Sequence, residues 1–153
     1  MTQPRPLSDW LSYIEHRHPA GMHLGLERIR EVLGRLALVR PAPVVVTVGG
    51  TNGKGSTIAF LEAIYRAAGY RTGAYTSPHL RRFNERVRVD GAEVDDASLC
   101  AAFEAVEQAR GELELTYFEF ATAAAFLVFA RRGIDVALLE IGLRGRLDAL
   151  NAL

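Results

Sequence analysis

The stretch VVVTVGGTNGKGS, Val44 to Ser56, constrains this chain more than any other. Val44, Val45, Val46, Thr47 and Val48 are β-branched throughout and predict a short strand. Gly49, Gly50, Gly53 and Gly55 then loosen the backbone, and a helical pattern begins near Ser56. A strand, a glycine-rich turn carrying one lysine, and a helix together form a phosphate cradle. Backbone N–H groups close around the anion, and the new helix adds its unpaired N–H groups and positive dipole end. Lys54 supplies a point charge for the terminal phosphates. The general signature G-x-x-x-x-G-K-[ST] is only partly met. Val48 stands where it asks for glycine and Gly55 where it asks for a hydroxyl, which comes one place later at Ser56. The alternative is a plain strand-to-helix turn with an exposed lysine; a nucleotide phosphate loop is the stronger reading.

The 153 residues are a domain-sized length, with 49% hydrophobic and 24% charged residues. Eighteen basic and eighteen acidic residues cancel, so no general affinity for nucleic acid or membrane is expected. The densest basic patch, Arg81, Arg82, Arg86 and Arg88, is interrupted by Glu85 and followed by Asp90, which reads as a solvated surface. Cys100, the single cysteine, excludes an internal disulfide and reads as a small buried residue on a helix. The N-terminus has no apolar leader, and the apolar run Ala121 to Ala130 is too short to span a bilayer. A soluble cytoplasmic protein is expected, and a monomer.

Upstream of the phosphate loop, Leu7 to His18 predicts a helix with Leu7, Trp10, Leu11 and Ile14 on one face, and His16 and His18 at its end as capping or surface residues. Leu24 to Leu38 predicts a second helix, closed off by Pro41 and Pro43. Downstream, the helix after the loop runs to about Ala68, with Ile58, Leu61, Ile64 and Tyr65 facing inward, and Arg71 to Thr76 predicts a strand. Arg86 to Val89 and Glu93-Val94 flank Asp90-Gly91 as a hairpin. Asp95 is placed to cap a helix through about Arg110. Thr116 and Glu119 form a capping box for a helix apolar nearly all round, which must be buried. Ile134 to Ile141 predicts a third main strand.

Apolar strands alternating with helices predict an α/β fold, a P-loop-type parallel sheet with helices on both faces. The domain reading is two N-terminal helices over residues 1–42, then a P-loop α/β unit over 43–153. In such sheets ligands collect at the carboxyl ends of the strands. Three predicted strands deliver polar groups there: the phosphate loop, Ser77-Pro78-His79, and Glu140. Glu140 is either a Walker-B-like Mg²⁺ ligand or a structural acid paired with an arginine. Ser77 is either a second oxygen ligand or a turn hydroxyl, and His79 either a base or a loop cap. Glu119 is read as a cap and not as catalytic.

With these residues in view, the chain resembles the bifunctional dihydrofolate synthase/folylpolyglutamate synthase family of the Mur ligase superfamily. The likeness rests on WLSYIE (10–15), LGLER (24–28), GTNGKGS (50–56), LEAIYRAAGYRTGAYTSPHL (61–80), ERVRV (85–89), LTYFEF (115–120) and LLEIGLRGRLDALN (138–151), in family order over nearly the whole chain. The Mur-type loop has the form G-T-N-G-K-x-[ST], which accounts for the mismatch to the general signature.

The resemblance implies an ATP-dependent ligase in which ATP phosphorylates a pteroate or folyl carboxylate and the amine of glutamate displaces phosphate to form an amide. It assigns Thr51, Asn52, Gly53, Lys54, Gly55 and Ser56 to ATP, with Lys54 also catalytic, and Ser77 and Glu140 to Mg²⁺. It assigns Met22, His23, Leu24, Thr116, Tyr117, Phe118 and Leu147 to the pterin substrate. The implied partners are therefore small molecules: ATP, dihydropteroate or a folate, and glutamate. Three positions depart from the family pattern: His23 stands for Asp, Arg144 for a glycine and Leu150 for Thr. Family members are also far longer, so the remainder of the ATPase sheet and a C-terminal domain are expected to be missing. The chain alone is expected not to ligate; the alternative is a non-catalytic ATP- or pterin-binding fragment.

Overall fold

The computed structural model describes residues 5–17 and 26–142. Met22, His23, Leu24, Arg144, Leu147 and Leu150, on which several of the sequence expectations fall, lie outside the described residues. In chain order the elements are α1 (Leu7–Glu15), α2 (Glu27–Arg35), β1 (Val44–Val48), α3 (Lys54–Ala67), β2 (Thr72–Tyr75), β3 (Val87–Val89), β4 (Ala92–Glu93), α4 (Asp96–Arg110), α5 (Tyr117–Arg132) and β5 (Val136–Glu140), with a 3₁₀ turn at Phe83–Arg86.

The five strands form one sheet in the order β1-β5-β2-β3-β4. β5 sits between β1 and β2 and runs parallel to both, with Val44 opposite Val136 on one side and Thr72 opposite Val136 on the other. The expected parallel sheet is therefore the three-stranded side β1-β5-β2. The predicted hairpin extends it with two antiparallel strands, because Asp90 (φ 51°) and Gly91 (φ 81°) form a two-residue turn that reverses the chain. Such a turn needs positive φ at both central residues, which Gly and Asp tolerate best.

Helices cover both faces of β5 and β2. On one, Ile58 of α3 packs on Ala74, Val136 and Leu138, flanked by Val46, Val48, Leu61 and Tyr65. On the other lies α5, buried at every position from Glu119 to Phe129 as its all-round apolar pattern requires. Outside α5, the aromatic rings of Trp10, Phe83, Phe103 and Phe120 join α1, α4 and the 3₁₀ turn to it, with Phe103 5.6 Å from Phe83 and 5.9 Å from Phe120 between ring centroids. Both predicted caps form. Asp95 accepts the N–H of Ser98 at 2.8 Å, while Thr116 and Glu119 exchange side-chain to backbone bonds at 3.2 and 2.8 Å. Glu119 also pairs with Arg28 of α2 at 3.1 Å, so its carboxylate is spent on structure.

Three expectations are corrected. Helix α1 ends at Glu15 rather than His18, with His16 as its C-terminal cap, donating its backbone N–H to the Ser12 carbonyl. Ile64 does not face inward: the inner stripe of α3 is buried Ile58 and Glu62 with half-buried Leu61 and Tyr65, and Ile64, six residues from Ile58, falls on the outer side, where it is 61% exposed beside Phe60 at 72%. Glu62 takes the inward place because Arg88 of β3 neutralises it at 2.9 Å. Finally, β1 is wholly β-branched yet not covered on both faces. It is the edge strand, no strand pairs with its free side among the described residues, and Val44 and Val45 stay exposed.

Candidate nucleotide and metal site

The carboxyl ends of β1, β5 and β2 lie side by side, and each leads into a segment that the sequence marks as functional. Val48, the last residue of β1, is opposite Glu140, the last of β5, and the N–H of Ile141 bonds back to the Val48 carbonyl at 2.9 Å. This register puts Gly49 and the loop behind it beside Glu140. On the other flank of β5, Tyr75 pairs with Leu139 and β2 runs out through Thr76 to Ser77.

The phosphate loop occupies 49–53, exposed, with Gly50 at φ 150° and Gly53 at φ 75°. Gly53 is the N-terminal cap of α3, so the helix begins at Lys54, two residues earlier than its apolar pattern shows. A left-handed glycine immediately before the first turn carries no hydrophobic periodicity, and this is why the boundary was illegible. The shift matters chemically. The first helical carbonyl bond runs from the Thr57 N–H to the Gly53 carbonyl at 2.9 Å, so the N–H groups of Lys54, Gly55 and Ser56 have no acceptor within the helix. They point out of its positive end. The Lys54 side chain folds back over the loop and its Nζ donates to the Gly50 carbonyl at 2.9 Å, keeping the ammonium over the glycine turn. Three N–H donors, a helix dipole and a cation thus converge on one exposed loop, the requirements for binding a polyphosphate.

Ser77 and Glu140 are brought together. The Ser77 N–H donates to Glu140 Oε2 at 3.3 Å, which sets the serine hydroxyl and the half-buried carboxylate on adjacent strand ends. The arginine partner required by the structural alternative for Glu140 is not found among the described residues. Nor, among those residues, is there any group of three or more His, Cys, Asp or Glu side chains able to enclose a metal. A two-oxygen protein contribution of this kind suits Mg²⁺, a hard ion that keeps waters and takes substrate phosphate oxygens rather than a full protein cage.

The segment behind Ser77 is held by groups that the sequence reading overlooked. Both carboxylate oxygens of Glu85 are engaged with backbone: Oε2 accepts the Leu80 N–H at 2.8 Å, and Oε1 accepts those of Arg81 and Arg82 at 2.8 and 2.9 Å. These three donors pull its pKa from the ordinary 4.5 down to about 2. Arg86 Nε donates to His79 Nδ1 at 2.8 Å, and its guanidinium lies over the rings of Phe83 and Tyr117 at 5.7 and 5.6 Å. His79 is therefore pinned through one ring nitrogen, which favours the loop-cap alternative. Through Tyr117, Arg86 also ties this segment to the start of α5. There Phe118 stacks on Tyr75 at 6.2 Å, and burial pushes the Tyr117 phenol upward. The Thr116 hydroxyl is occupied in capping. Glu85 and Arg86 were read as part of a solvated charge patch; Glu85 instead caps the 3₁₀ turn, with Arg82 at the cap position where no short polar side chain marks it.

No family model matches the chain, but it is similar to several known proteins. Dihydrofolate synthase/folylpolyglutamate synthase of Escherichia coli (strain K12) is 52% identical over 146 residues, covering 95% of this chain and 35% of that protein. The Bacillus subtilis (strain 168) protein of the same name is 37% identical over 153 residues, covering 94% and 35%. Among solved structures, E. coli FolC in complex with DHPP and ADP superposes with a TM-score of 0.94 at 50% identity, covering 100% of this chain and 37% of that one. Bifunctional folylpolyglutamate synthase/dihydrofolate synthase from Yersinia pestis, complexed with AMPPNP and Mn ion, gives 0.95 at 50% identity, covering 100% and 38%. The chain spans about a third of the length of the curated relatives it matches. In sequence and in fold it is similar to about a third of these dihydrofolate synthase/folylpolyglutamate synthases.

Proposed function

We propose that the strand ends of β1, β5 and β2 form the phosphate- and metal-binding part of an ATP-dependent ligase that joins glutamate to the carboxylate of a pteroate or folate. The observation that carries this reading is the convergence of the Lys54 loop, Glu140 and Ser77 at one sheet edge. Relatives at about half identity with the same fold have been solved with ADP or with AMPPNP and Mn, and a further one, 51% identical, with Mn, AMPPNP and L-glutamate bound.

In this reading the N–H groups of Lys54, Gly55 and Ser56 and the neighbouring Thr51, Asn52 and Gly53 hold the phosphate chain. The Lys54 ammonium leaves the Gly50 carbonyl for the terminal phosphate, where it offsets the charge that builds up during transfer. Ser77 and Glu140 would hold Mg²⁺, which when bound supplies positive charge to the transferring phosphoryl group. A carboxylate resists attack by an amine until one of its oxygens becomes a phosphate leaving group. The reaction thus needs an acceptor carboxylate near the loop, and the half-buried face of Tyr117 and Phe118, tied to the same segment through Arg86, is where the pterin body would lie. Met22, His23, Leu24 and Leu147 are proposed to complete that contact. The division near residue 43, between the two N-terminal helices and the P-loop α/β unit, belongs to the same proposal.

Calorimetric titration with ATP in the presence of Mg²⁺ tests the reading. The chain is expected to bind, Lys54→Ala to lose binding, and no glutamyl product to form when dihydropteroate and glutamate are added to the chain alone. Unchanged binding in Lys54→Ala would overturn the loop assignment.

A further inference from the structure

The segment Ser77 to Arg82 carries the proposed serine ligand and His79, yet it belongs to no helix or strand. It hangs from β2 at one end and enters the 3₁₀ turn at the other. A stretch of this kind supplies a metal ligand reproducibly only if its backbone is held by something else. Ser77 is anchored on its β2 side, where the Thr76 N–H donates to the Arg86 carbonyl at 2.9 Å, and by its own N–H, which donates to Glu140 at 3.3 Å. His79 is fixed through Arg86. The three residues that follow, Leu80, Arg81 and Arg82, are exposed, and Leu80 has its side chain almost fully in solvent. No apolar packing holds them.

What holds them is Glu85. Three consecutive backbone N–H groups point into one carboxylate at 2.8, 2.8 and 2.9 Å, using both of its oxygens. Charge-assisted bonds to backbone N–H groups are about twice as strong as neutral ones, and three on one carboxylate fix the path of the chain that presents them. The acid makes no ion pair among the described residues, although Arg81, Arg82, Arg86 and Arg88 surround it in sequence. Arg82 pairs with Glu93 at 2.9 Å and Arg88 with Glu62 at 2.9 Å, which leaves the Glu85 oxygens to the backbone.

We infer that Glu85 is a positioning residue for the metal site: its carboxylate clamps the backbone of 80–82 and thereby sets the place of Ser77 beside Glu140. This rests on the assignment of Ser77 and Glu140 to Mg²⁺ proposed above. It predicts that a half-buried carboxylate outside the phosphate loop controls how much Mg²⁺ the nucleotide needs in order to bind.

Two readouts on the 153-residue chain separate this inference from its premise. Hydrogen exchange, which needs no ligand, should show faster exchange at Leu80, Arg81 and Arg82 in Glu85→Ala, with α5 and β5 unchanged. Titration of Mg²⁺ at fixed ATP should show the half-maximal concentration raised about 10-fold or more in Glu85→Ala, as expected for loss of a ligand-orienting group. Glu85→Gln keeps two acceptor lone pairs on one oxygen and should fall between, and it replaces the alanine variant if that fails to fold. Faster exchange at 80–82 with an unaltered Mg²⁺ requirement would overturn the inference, because the clamp would then serve the loop alone. Unaltered exchange would overturn it too. Failure of the unsubstituted chain to bind ATP with Mg²⁺ would instead overturn the proposed function, and with it the premise of the inference.

Discussion

Replacing Gly73 by alanine tests the packing that carries the site. Gly73 lies in the middle of β2, paired with Ala137 of β5 and Val89 of β3. A Cβ added there would stand 2.3 Å from Ile134 Cδ1 and 2.7 and 2.8 Å from two ring atoms of Phe129. Carbon atoms in contact prefer about 3.5–4.0 Å, so the neighbours must retreat by roughly 1 Å. They have nowhere to go: Phe129 and Ile134 are both buried against the α5 layer. Overpacking of this sort costs about 1–3 kcal/mol. The restriction that alanine places on the unfolded chain returns about 0.4–1 kcal/mol. The net loss is then about 1–2 kcal/mol, or a fall in Tm of about 2–8 °C for a chain of this size. Thermal unfolding followed by circular dichroism measures it. The control is Gly34→Ala in α2, where nothing lies within 4 Å of the added atom. It should stabilise by about 0.5–1 kcal/mol, as helix interiors favour alanine over glycine. If Gly73→Ala matched or exceeded the parent in Tm, the close approach of β2 to Phe129 would be refuted.

Other outcomes follow from the caps and the site. Asp95→Ala should cost about 1 kcal/mol by removing the acceptor for the Ser98 N–H, while Asp95→Asn should cost little. The Ser98 backbone bond holds Asp95 below its ordinary value of 3.8, so its contribution is complete above that value and fades as pH falls through the lower, folded-state one. Acid titration of stability should therefore be shallower in Asp95→Asn than in the parent, and equal slopes would contradict the assignment. Glu140→Gln should leave Tm near the parent's, since no cation pairs with Glu140 among the described residues, while abolishing the Mg²⁺ dependence of ATP binding. A collapse in stability would instead point to a structural carboxylate.

The parts of the fold that were legible in the sequence are those governed by local pattern. The capping box at Thr116 and Glu119, the Asp95 cap and the Asp90-Gly91 turn each follow from a few residues interacting with their own backbone, and each forms as read. Ile64 and the β1 valines were misjudged because their burial depends on what lies across from them. The phase of α3 is set by Glu62 meeting Arg88, and the exposure of β1 by its edge position in the sheet. The same division runs through the site. Lys54, Ser77 and Glu140 could be named from strand ends and loop composition. Glu85 and Arg86 were not: Glu85 caps the 3₁₀ turn from its third position, but Arg82 stands at the cap where Ser, Thr, Asp or Asn would mark it, and Arg86 finds His79 seven residues back.

The central claim is that one sheet edge holds both nucleotide phosphates and metal, and a crystal structure of the chain grown with Mg²⁺ and a non-hydrolysable ATP analogue tests it most directly. The phosphates should accept hydrogen bonds from the N–H groups of Lys54, Gly55 and Ser56, with Lys54 Nζ released from the Gly50 carbonyl and the ion touching both Ser77 Oγ and Glu140. A nucleotide bound away from the Gly49–Ser56 loop, or an ion held by neither Ser77 nor Glu140, would contradict it.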